Sequence, residues 1–469
     1  HDADFTFDQP FHLSLAEDQR LFAENIVRII PGKRLVAFGV WQDKSVVAKL
    51  FFDPKHAKRH VEKELAGLKA LRDNKIPTPA LYYNGWSEDK RVYVLLFERI
   101  FESKSLDEIW QEKESTESLL PLMQAIIKEL ATQHVLGVMQ HDLHLKNFLI
   151  TRKRIYTLDA AQIELFPSIL SKKQSMENLA LFLSQLGVGV EEHQKILFQY
   201  YAKVRGWLLK KEDIVEIFLL IKKWNDERWR QFEKKIFRSS SRFERIRDLS
   251  TFGMYDRRYA YPELMEFLDW PEAVFDHPTA VTIKAGRSAT VIKVVLDQRE
   301  LVIKRYNIKN LWHRLRRCLQ TTRAFNSWRL AQKLCLFGVN TAKPVAFIEK
   351  RYAGFRGQSY YVTEYVAGEQ ANEYFQQRQA QEEKITDLVK QITTLLKNLS
   401  KLDITHGDLK ITNILVDNDQ HPVLIDLDGA VEHASLSSLR SAWRKEIKRL
   451  MKNFRDQPLI REKFNEYLF

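Results

Sequence analysis

The chain is poor in cysteine and has no long apolar runs. Its 469 residues include two cysteines, Cys318 and Cys335, which are too few for a disulfide framework and lack metal-ligand spacing. No apolar run reaches the roughly 18 residues that cross a bilayer, and the acidic start HDADFTFDQP has no signal-peptide pattern. We therefore expect a cytoplasmic protein from a reducing compartment.

Charge of one sign dominates, with a formal net charge of +13. Nucleic acid, an anionic membrane surface and a polyphosphorylated acceptor would all suit this charge. No zinc knuckle, helix-turn-helix or aromatic RNA-binding signature accompanies it, so we expect no nucleic-acid partner. The charge alone does not decide between the other two.

A chain of this length predicts two or more domains, and it contains one pattern twice. QHDLHLKNFLI followed by YTLDAAQ corresponds to THGDLKITNILV followed by LIDLDGA. Upstream, SVVAKLFF corresponds to ELVIKRYN. The repeated unit of roughly 230 residues is longer than a solenoid repeat. The basic serine run in KKIFRSSSRFERIRDLS predicts the join near Arg245, which gives domains 1–245 and 246–469.

Each copy predicts the same order of elements. A strand pair comes first, LVAFGVW with SVVAKLFF or ATVIKVVL with ELVIKRYN. A helical stretch, two more strands and a long helix, LMQAIIKELATQHVLG or KITDLVKQITTLLKNLS, lead to the Asp-bearing loop. This order predicts an α+β chain of two tandem domains with the plan of an ATP-dependent phosphotransferase, each with a small β-rich lobe followed by a mostly helical lobe.

The loop and strand residues suit phosphoryl transfer from ATP, which depends on positioned charges. The predicted acceptors of the substrate proton are Asp142 and Asp408. Four residues with oxygen donors are predicted to bind Mg²⁺. Asn147 and Asn413 lie five residues after the loop Asp, as in D-x-x-x-x-N, and Asp159 and Asp426 lie at the end of the next apolar strand. The strand lysines Lys49 and Lys304 are predicted to pair with the α- and β-phosphates.

The two copies differ at the residues that would support these groups. Glu64 suits the Lys–Glu pair that orders a kinase site, but the second copy has no acid between Ile308 and Thr341 and has Ser327 at the aligned position. Lys304 must therefore be positioned in another way or less well. Two residues after the loop Asp, the first copy has His144 where the second has Lys410. Both are predicted to stabilise the transferring phosphate, a neutral imidazole less than an ammonium, although a protonated imidazole could substitute.

Three further residues are predicted to bind the cofactor from their positions in the predicted turns and strands. Neither copy has a G-x-G-x-x-G loop, and Gly286 in KAGRSATV is the candidate for phosphate contact in the second copy. Glu98 in YVLLFERI and Glu364 in SYYVTEYV are the further candidates for cofactor binding.

At these motifs both halves resemble the lipopolysaccharide core kinases, which phosphorylate heptose or Kdo sugars of the bacterial inner core. The second half carries the resemblance most closely, through IKAGRSATVIKV, RAFNSWRLAQKL and HGDLKITNILV with LIDLDGA. The resemblance implies a protein-kinase-like fold, ATP, Mg²⁺ and a lipid-linked lipopolysaccharide core acceptor. It also implies a site of action at the inner face of the bacterial inner membrane, where we expect the protein to be peripheral.

One basic segment predicts contact with that membrane. KNLWHRLRRCLQTTRAFNSWRLAQK combines leucines at helical spacing with seven cations: Lys309, Arg314, Arg316, Arg317, Arg323, Arg329 and Lys333. The alternative is a solvated helix packed on its own domain. Contact with lipid phosphates would weaken as ionic strength rises.

Other functions stay open from the sequence. The chain could phosphorylate a protein or a soluble small molecule, although the absence of an A-P-E segment and the short stretch after Asp426 disfavour a protein kinase. One or both halves could instead be pseudokinase modules that bind nucleotide or scaffold other enzymes.

Overall fold

A computed structural model describes residues 10–52, 54–112, 115–248, 250–307, 321–352 and 355–468. The contacts divide the chain into two compact units. The first unit comprises residues 10–186 and 190–227, and the second comprises 187–189 and 228–468, within the described ranges. No helix in those ranges is long and apolar enough to cross a membrane.

The first unit begins with a sheet whose strands alternate between two faces, because successive residues of a strand face opposite sides. Its antiparallel strand order is β1-β2-β3-β4-β6-β5. The bounds are β1 Phe11–Ser14, β2 Arg20–Ile30, β3 Arg34–Trp41, β4 Lys44–Phe51, β5 Leu81–Trp86 and β6 Tyr93–Glu98. In β4, Val46, Ala48 and Leu50 are buried on one face. Lys49 therefore points to the opposite face.

The rest of the first unit is mainly helical, with short strands around the Asp-bearing loop. The helices are α1 Pro54–Asp73, α2 Leu106–Gln111, α3 Leu120–Val135, α4 Lys172–Ser184, α5 Glu191–Val204 and α6 Lys211–Lys235. The short strands are β7 Lys104–Ser105, β8 Val138–Gln140, β9 Phe148–Ile150, β10 Ile155–Thr157 and β11 Ile163–Leu165. Helix α3 buries a stripe at helical spacing that includes Met123, Ile127, Leu130 and His134.

The second unit begins with a larger sheet. Its antiparallel strand order is β12-β13-β17-β18-β16-β15-β14. The bounds are β12 Phe243–Arg247, β13 Thr251–Asp256, β14 Val281–Ala285, β15 Ala289–Leu296, β16 Arg299–Tyr306, β17 Pro344–Tyr352 and β18 Phe355–Glu364. In β16, Leu301 and Ile303 belong to one apolar cluster, whereas Tyr306 belongs to another. The period of two places Lys304 on the same face as Tyr306.

Helices cover both faces of this sheet and complete the second unit. They are α7 Pro262–Asp269, α8 Arg323–Leu336, α9 Ala371–Gln377, α10 Glu382–Lys401, α11 Leu436–Met451 and α12 Pro458–Leu468. The remaining strands are β19 Gly368–Gln370, β20 Ile404–Thr405, β21 Ile414–Asp417, β22 Pro422–Leu424 and β23 Val431–Glu432. Helix α7 packs in the cluster with Leu301, and α8 packs in the cluster with Tyr306.

The predicted elements are present in both units, and the chain is a mixed α+β protein as expected. The strand pairs LVAFGVW with SVVAKLFF and ATVIKVVL with ELVIKRYN are β3–β4 and β15–β16. Part of the predicted join is not a linker, because it forms strand β12, which pairs with β13. The division between the compact units lies upstream of Arg245, within α6. The limits of two kinase-like domains stay a prediction.

Most of the basic segment lies outside the described residues, which omit 308–320. Three of its predicted cations, Arg323, Arg329 and Lys333, lie on α8. Arg329 and Lys333 form ion pairs with Glu432, at 2.5 and 2.6 Å. These two side chains are therefore engaged inside the second unit, and membrane contact by the segment stays a prediction.

Candidate active site

In the first unit the strand lysine meets the helix acid. Lys49 Nζ lies 2.6 Å from Glu64 Oε1 of α1, and Glu64 is buried. The close approach of α1 to the loop after β10 depends on Gly67, where a Cβ would lie 1.8 Å from the carbonyl oxygen of Ala160. The predicted Lys–Glu pair is thus present, and a buried ion pair of this kind fixes the direction of the lysine side chain.

Each Asp-bearing loop is closed by its own Asn. Asn147 Nδ2 donates to the Asp142 carbonyl oxygen at 2.7 Å, and Asn413 Nδ2 donates to that of Asp408 at 2.9 Å. The Asn backbone carbonyl accepts in turn from the residue before the strand-end Asp, at 2.8 Å in the first unit and 3.0 Å in the second. Because Nδ2 of Asn413 is used for the loop, its Oδ1 points away and can serve as a ligand.

The strand-end aspartates share an unusual backbone conformation. Asp159 and Asp426 have φ of 56° and 62°, in the left-handed region that few residues other than glycine adopt. Each begins a short 3-10 turn, Ala160–Gln162 or Leu427–Gly429. Such strained positions persist where the surrounding structure holds them and concentrate at functional sites. The two predicted metal ligands therefore occupy equivalent places in the two units.

In the second unit the strand lysine is held by two carboxylates of the motif LIDLDGA. Lys304 Nζ lies 2.5 Å from Asp426 Oδ1 and 2.5 Å from Asp428 Oδ2. Burial raises the pKa of Asp426, but the charge and hydrogen bond of Lys304 outweigh it and hold that pKa below its ordinary value. Asp428 was not predicted as a site residue, and it gives Lys304 a second carboxylate partner in a unit whose helix α8 has no acid.

The catalytic candidate Asp408 lies among cations. Lys410 Nζ is 2.8 Å from Asp408 Oδ2, and Arg449 Nη1 of α11 is 3.3 Å from Oδ1. In the first unit an imidazole makes the corresponding contact: His144 Nε2 lies 3.1 Å from Asp142 Oδ1. The His144 ring also contacts Gln185 through Nδ1 at 2.9 Å.

Helix α11 also supports the Asp408 loop through hydrogen bonds to its backbone. Glu446 accepts a hydrogen bond from the backbone N–H of His406 at 2.9 Å and another from Gly407. Gly407 has φ of 79°, and a Cβ there would lie 1.9 Å from the Gly429 carbonyl oxygen. The loop thus requires glycine here. Neither Glu446 nor Arg449 carries a signal in the sequence, because the fold alone brings α11 to the loop.

The other cofactor candidates lie in a turn and at the last residues of two strands. Gly286 forms the turn between β14 and β15, where its N–H donates to the Ala289 carbonyl at 3.0 Å. Glu98 accepts from the Ala80 N–H at 3.2 Å. Glu364 accepts from the Tyr259 hydroxyl at 2.5 Å. The glutamate carboxylates are thus engaged with their own units, and nucleotide contact by these three residues stays a prediction.

The donor set suits Mg²⁺. Within the described ranges no group of three or more His, Cys, Asp or Glu side chains could hold a metal ion. Magnesium usually takes one or two carboxylates and keeps several waters. An amide oxygen from Asn413 and a carboxylate from Asp426 therefore fit its needs, and the same holds for Asn147 and Asp159.

Comparison with known proteins bears on the second unit. Residues 277–467 match the model of the lipopolysaccharide kinase (Kdo/WaaP) family. The matched segment contains Lys304, Asp408, Asn413 and Asp426. No curated protein matches the chain.

Proposed function

We propose that the second unit of this kinase, in which residues 277–467 match the model of the lipopolysaccharide kinase (Kdo/WaaP) family, uses ATP and Mg²⁺ to phosphorylate a heptose or Kdo hydroxyl of the lipopolysaccharide inner core. One observation carries the proposal. Within the matched segment, Lys304 pairs with Asp426, and the Asp408 loop is closed by Asn413, whose backbone carbonyl accepts a hydrogen bond from the residue before Asp426.

Each residue has a role that its chemistry supports. Lys304 binds the α- and β-phosphates, and Asn413 with Asp426 would hold Mg²⁺, which neutralises phosphate charge when bound. Asp408 accepts the proton of the attacking sugar hydroxyl. Lys410 and Arg449, on either side of its carboxylate, are placed to stabilise charge on the transferring phosphoryl group.

Transfer assays with the full-length protein test this proposal. Purified protein, Mg-ATP and core oligosaccharide that lacks phosphate should give acceptor-dependent transfer. Asp408→Asn should lower kcat by roughly 100-fold or more, because it removes the proton acceptor. The matched control is Asp419→Asn, the same change at an exposed turn of the second unit. Absence of acceptor-dependent transfer, or equal rates for the two variants, would refute the proposal.

Mass spectrometry of core oligosaccharide from cells with and without the gene would identify the acceptor. A phosphate that disappears with the gene locates the modified sugar. An unchanged core combined with ATP turnover on another acceptor would favour a soluble small molecule or a protein as substrate.

A second candidate function concerns the first unit, which lies outside the matched segment. Its lysine, loop Asp, Asn and left-handed Asp support a second kinase-like domain with ATP and Mg²⁺. Its loop, however, presents an imidazole where the second unit presents an ammonium. This difference favours nucleotide binding with slower transfer, or binding alone.

A further inference from the structure

The two units place the acid that holds the strand lysine on different elements. In the first unit the acid is Glu64 of α1, and the residue two positions after Asp159 is Ala161. In the second unit α8 has Ser327 at the position aligned with Glu64, and the residue two positions after Asp426 is Asp428. Compared with the first unit, the second unit therefore lacks a carboxylate on the helix and has an additional one in the motif LIDLDGA.

Three side chains from two elements, strand β16 and helix α8, fix Asp428. Its carboxylate pairs with Lys304 at 2.5 Å and accepts a hydrogen bond from the Ser327 hydroxyl at 3.3 Å. It also accepts a hydrogen bond from the Tyr306 hydroxyl. Tyr306 and Ser327 are buried, and the Asp428 side chain is 18% exposed. Asp428 is thus held by a strand residue and a helix residue at once.

We propose that Asp428 is the positioning residue for Lys304, in place of a helix glutamate, and that Asp426 is thereby left to bind the metal. This inference rests on the proposed kinase function of the second unit. Two carboxylates share Lys304 at equal distance. Only Asp426 adopts the left-handed conformation that Asp159 shares.

The partners of each carboxylate support this division of roles. Burial, followed by the charge of Asp428 and its hydrogen bond, raises the pKa of Tyr306 well above its ordinary value, so the phenol stays a donor. Asp428 therefore keeps two hydroxyl donors in addition to the ammonium. If Mg²⁺ takes Asp426, Lys304 retains a fully supported partner at Asp428.

Measurements of nucleotide affinity with and without Mg²⁺ distinguish the roles of the Asp426 and Asp428 carboxylates. All variants carry Lys49→Met, so that the second unit is measured in the full-length chain. Asp428→Asn should weaken nucleotide affinity by roughly tenfold both with Mg²⁺ and in EDTA, because Lys304 loses its direction. Asp426→Asn should weaken affinity only when Mg²⁺ is present. Unchanged affinity of Asp428→Asn in EDTA would overturn the inference.

A rescue experiment excludes a merely structural role. Adding Ser327→Glu to Asp428→Asn returns the carboxylate to the helix, as in the first unit, and should recover most of the lost affinity. Ser327→Gln in the same background has similar size without the charge and should not. Equal recovery by both would overturn the inference.

Tyr306→Phe gives a test that does not depend on accommodating a larger buried side chain. Loss of the hydroxyl that holds Asp428 should weaken affinity in EDTA by roughly threefold, while circular dichroism shows an intact fold. No change in affinity would count against the inference. Failure of the proposed function itself is distinguishable, because it would appear as absent transfer by the unmodified protein.

Discussion

The loop that carries Asp142 rests on His134, a buried histidine of α3. His134 Nε2 lies 2.9 Å from Asn178 Oδ1, which can only accept, so Nε2 carries the proton. Nδ1 accepts from the Tyr201 hydroxyl at 2.6 Å, and that hydroxyl accepts from Arg205 at 2.7 Å. Asn178 Nδ2 then donates to the Gln140 carbonyl at 2.7 Å, two residues before Asp142. The neutral imidazole thus belongs to the support of the loop.

Protonation of His134 should destabilise the first unit in acid. Burial lowers the pKa of His134 from 6.5 to about 4, against an opposing hydrogen bond that His134 donates to Asn178 and with a smaller lowering by the charge of Arg205. Between these values the unfolded chain binds the extra proton, so the stability is complete above pH 6.5 and is lost as the pH falls toward 4. The loss should be roughly 3 kcal/mol in the free energy of unfolding.

Urea unfolding between pH 7.5 and 4.5 measures this loss. His134→Gln should be less stable at neutral pH and should show a flatter pH dependence. The matched control is His60→Gln, at an exposed position of α1, which should keep the slope of the unmodified protein. A slope that His134→Gln leaves unchanged would contradict the assignment.

At the scale of elements, the end of α6 packs along α8 within the second unit. Phe237 stacks on Phe325 with ring centroids 4.4 Å apart, just beyond the last turn of α6. Trp328 Nε1 donates to the Ile236 carbonyl at 3.3 Å, and Arg329 pairs with Glu233. The helix that carries Ser327 is therefore braced by residues that precede the matched family segment.

Loss of the Glu233 carboxylate should loosen this brace. Glu233→Gln should lower the free energy of unfolding of the second unit by about 1 kcal/mol, because the pair with Arg329 is only partly buried. It should also raise the KM for ATP if α8 shifts, since Ser327 then leaves Asp428. Urea unfolding and steady-state kinetics measure the two effects.

The control for this brace is Glu216→Gln on the exposed face of the same helix. It should change neither quantity. A Glu233→Gln variant with the unfolding midpoint of this control would show that the pair between Glu233 and Arg329 does not stabilise α8.

Local periodicity explains which parts of the site the sequence could predict. Lys49 lies on an alternating strand and Glu64 on the helix that follows, so spacing alone predicted their pair. Asp428 was missed, although the absent helix acid and the additional motif acid were both visible in the sequence. Glu446 and Arg449 could not be found, because they reach the Asp408 loop from α11, about 40 residues later. Strand β12 was missed because it lies inside a basic, serine-rich stretch that is typical of a linker.

At the scale of the whole molecule, the duplication predicts one nucleotide for each unit. Each unit has a strand lysine paired with an acid, an Asn that closes the Asp loop and a left-handed Asp. The two sites differ in the residue two positions after the loop Asp, His144 or Lys410. Both units should therefore bind a nucleotide through the same types of residue, whereas phosphoryl transfer should be faster in the second unit.

Single changes at the two lysines test this prediction by calorimetry with a non-hydrolysable ATP analogue and Mg²⁺. Lys49→Met and Lys304→Met should each remove one of two bound nucleotides, because each methionine keeps the length of the side chain but loses the charge on the phosphates. Transfer to core oligosaccharide should survive Lys49→Met and fall in Lys304→Met. If Lys304→Met removed all binding, the first unit would not be a nucleotide site. If Lys49→Met alone abolished transfer, the first unit would be the kinase, because the remaining Lys304 site would then bind nucleotide without using it.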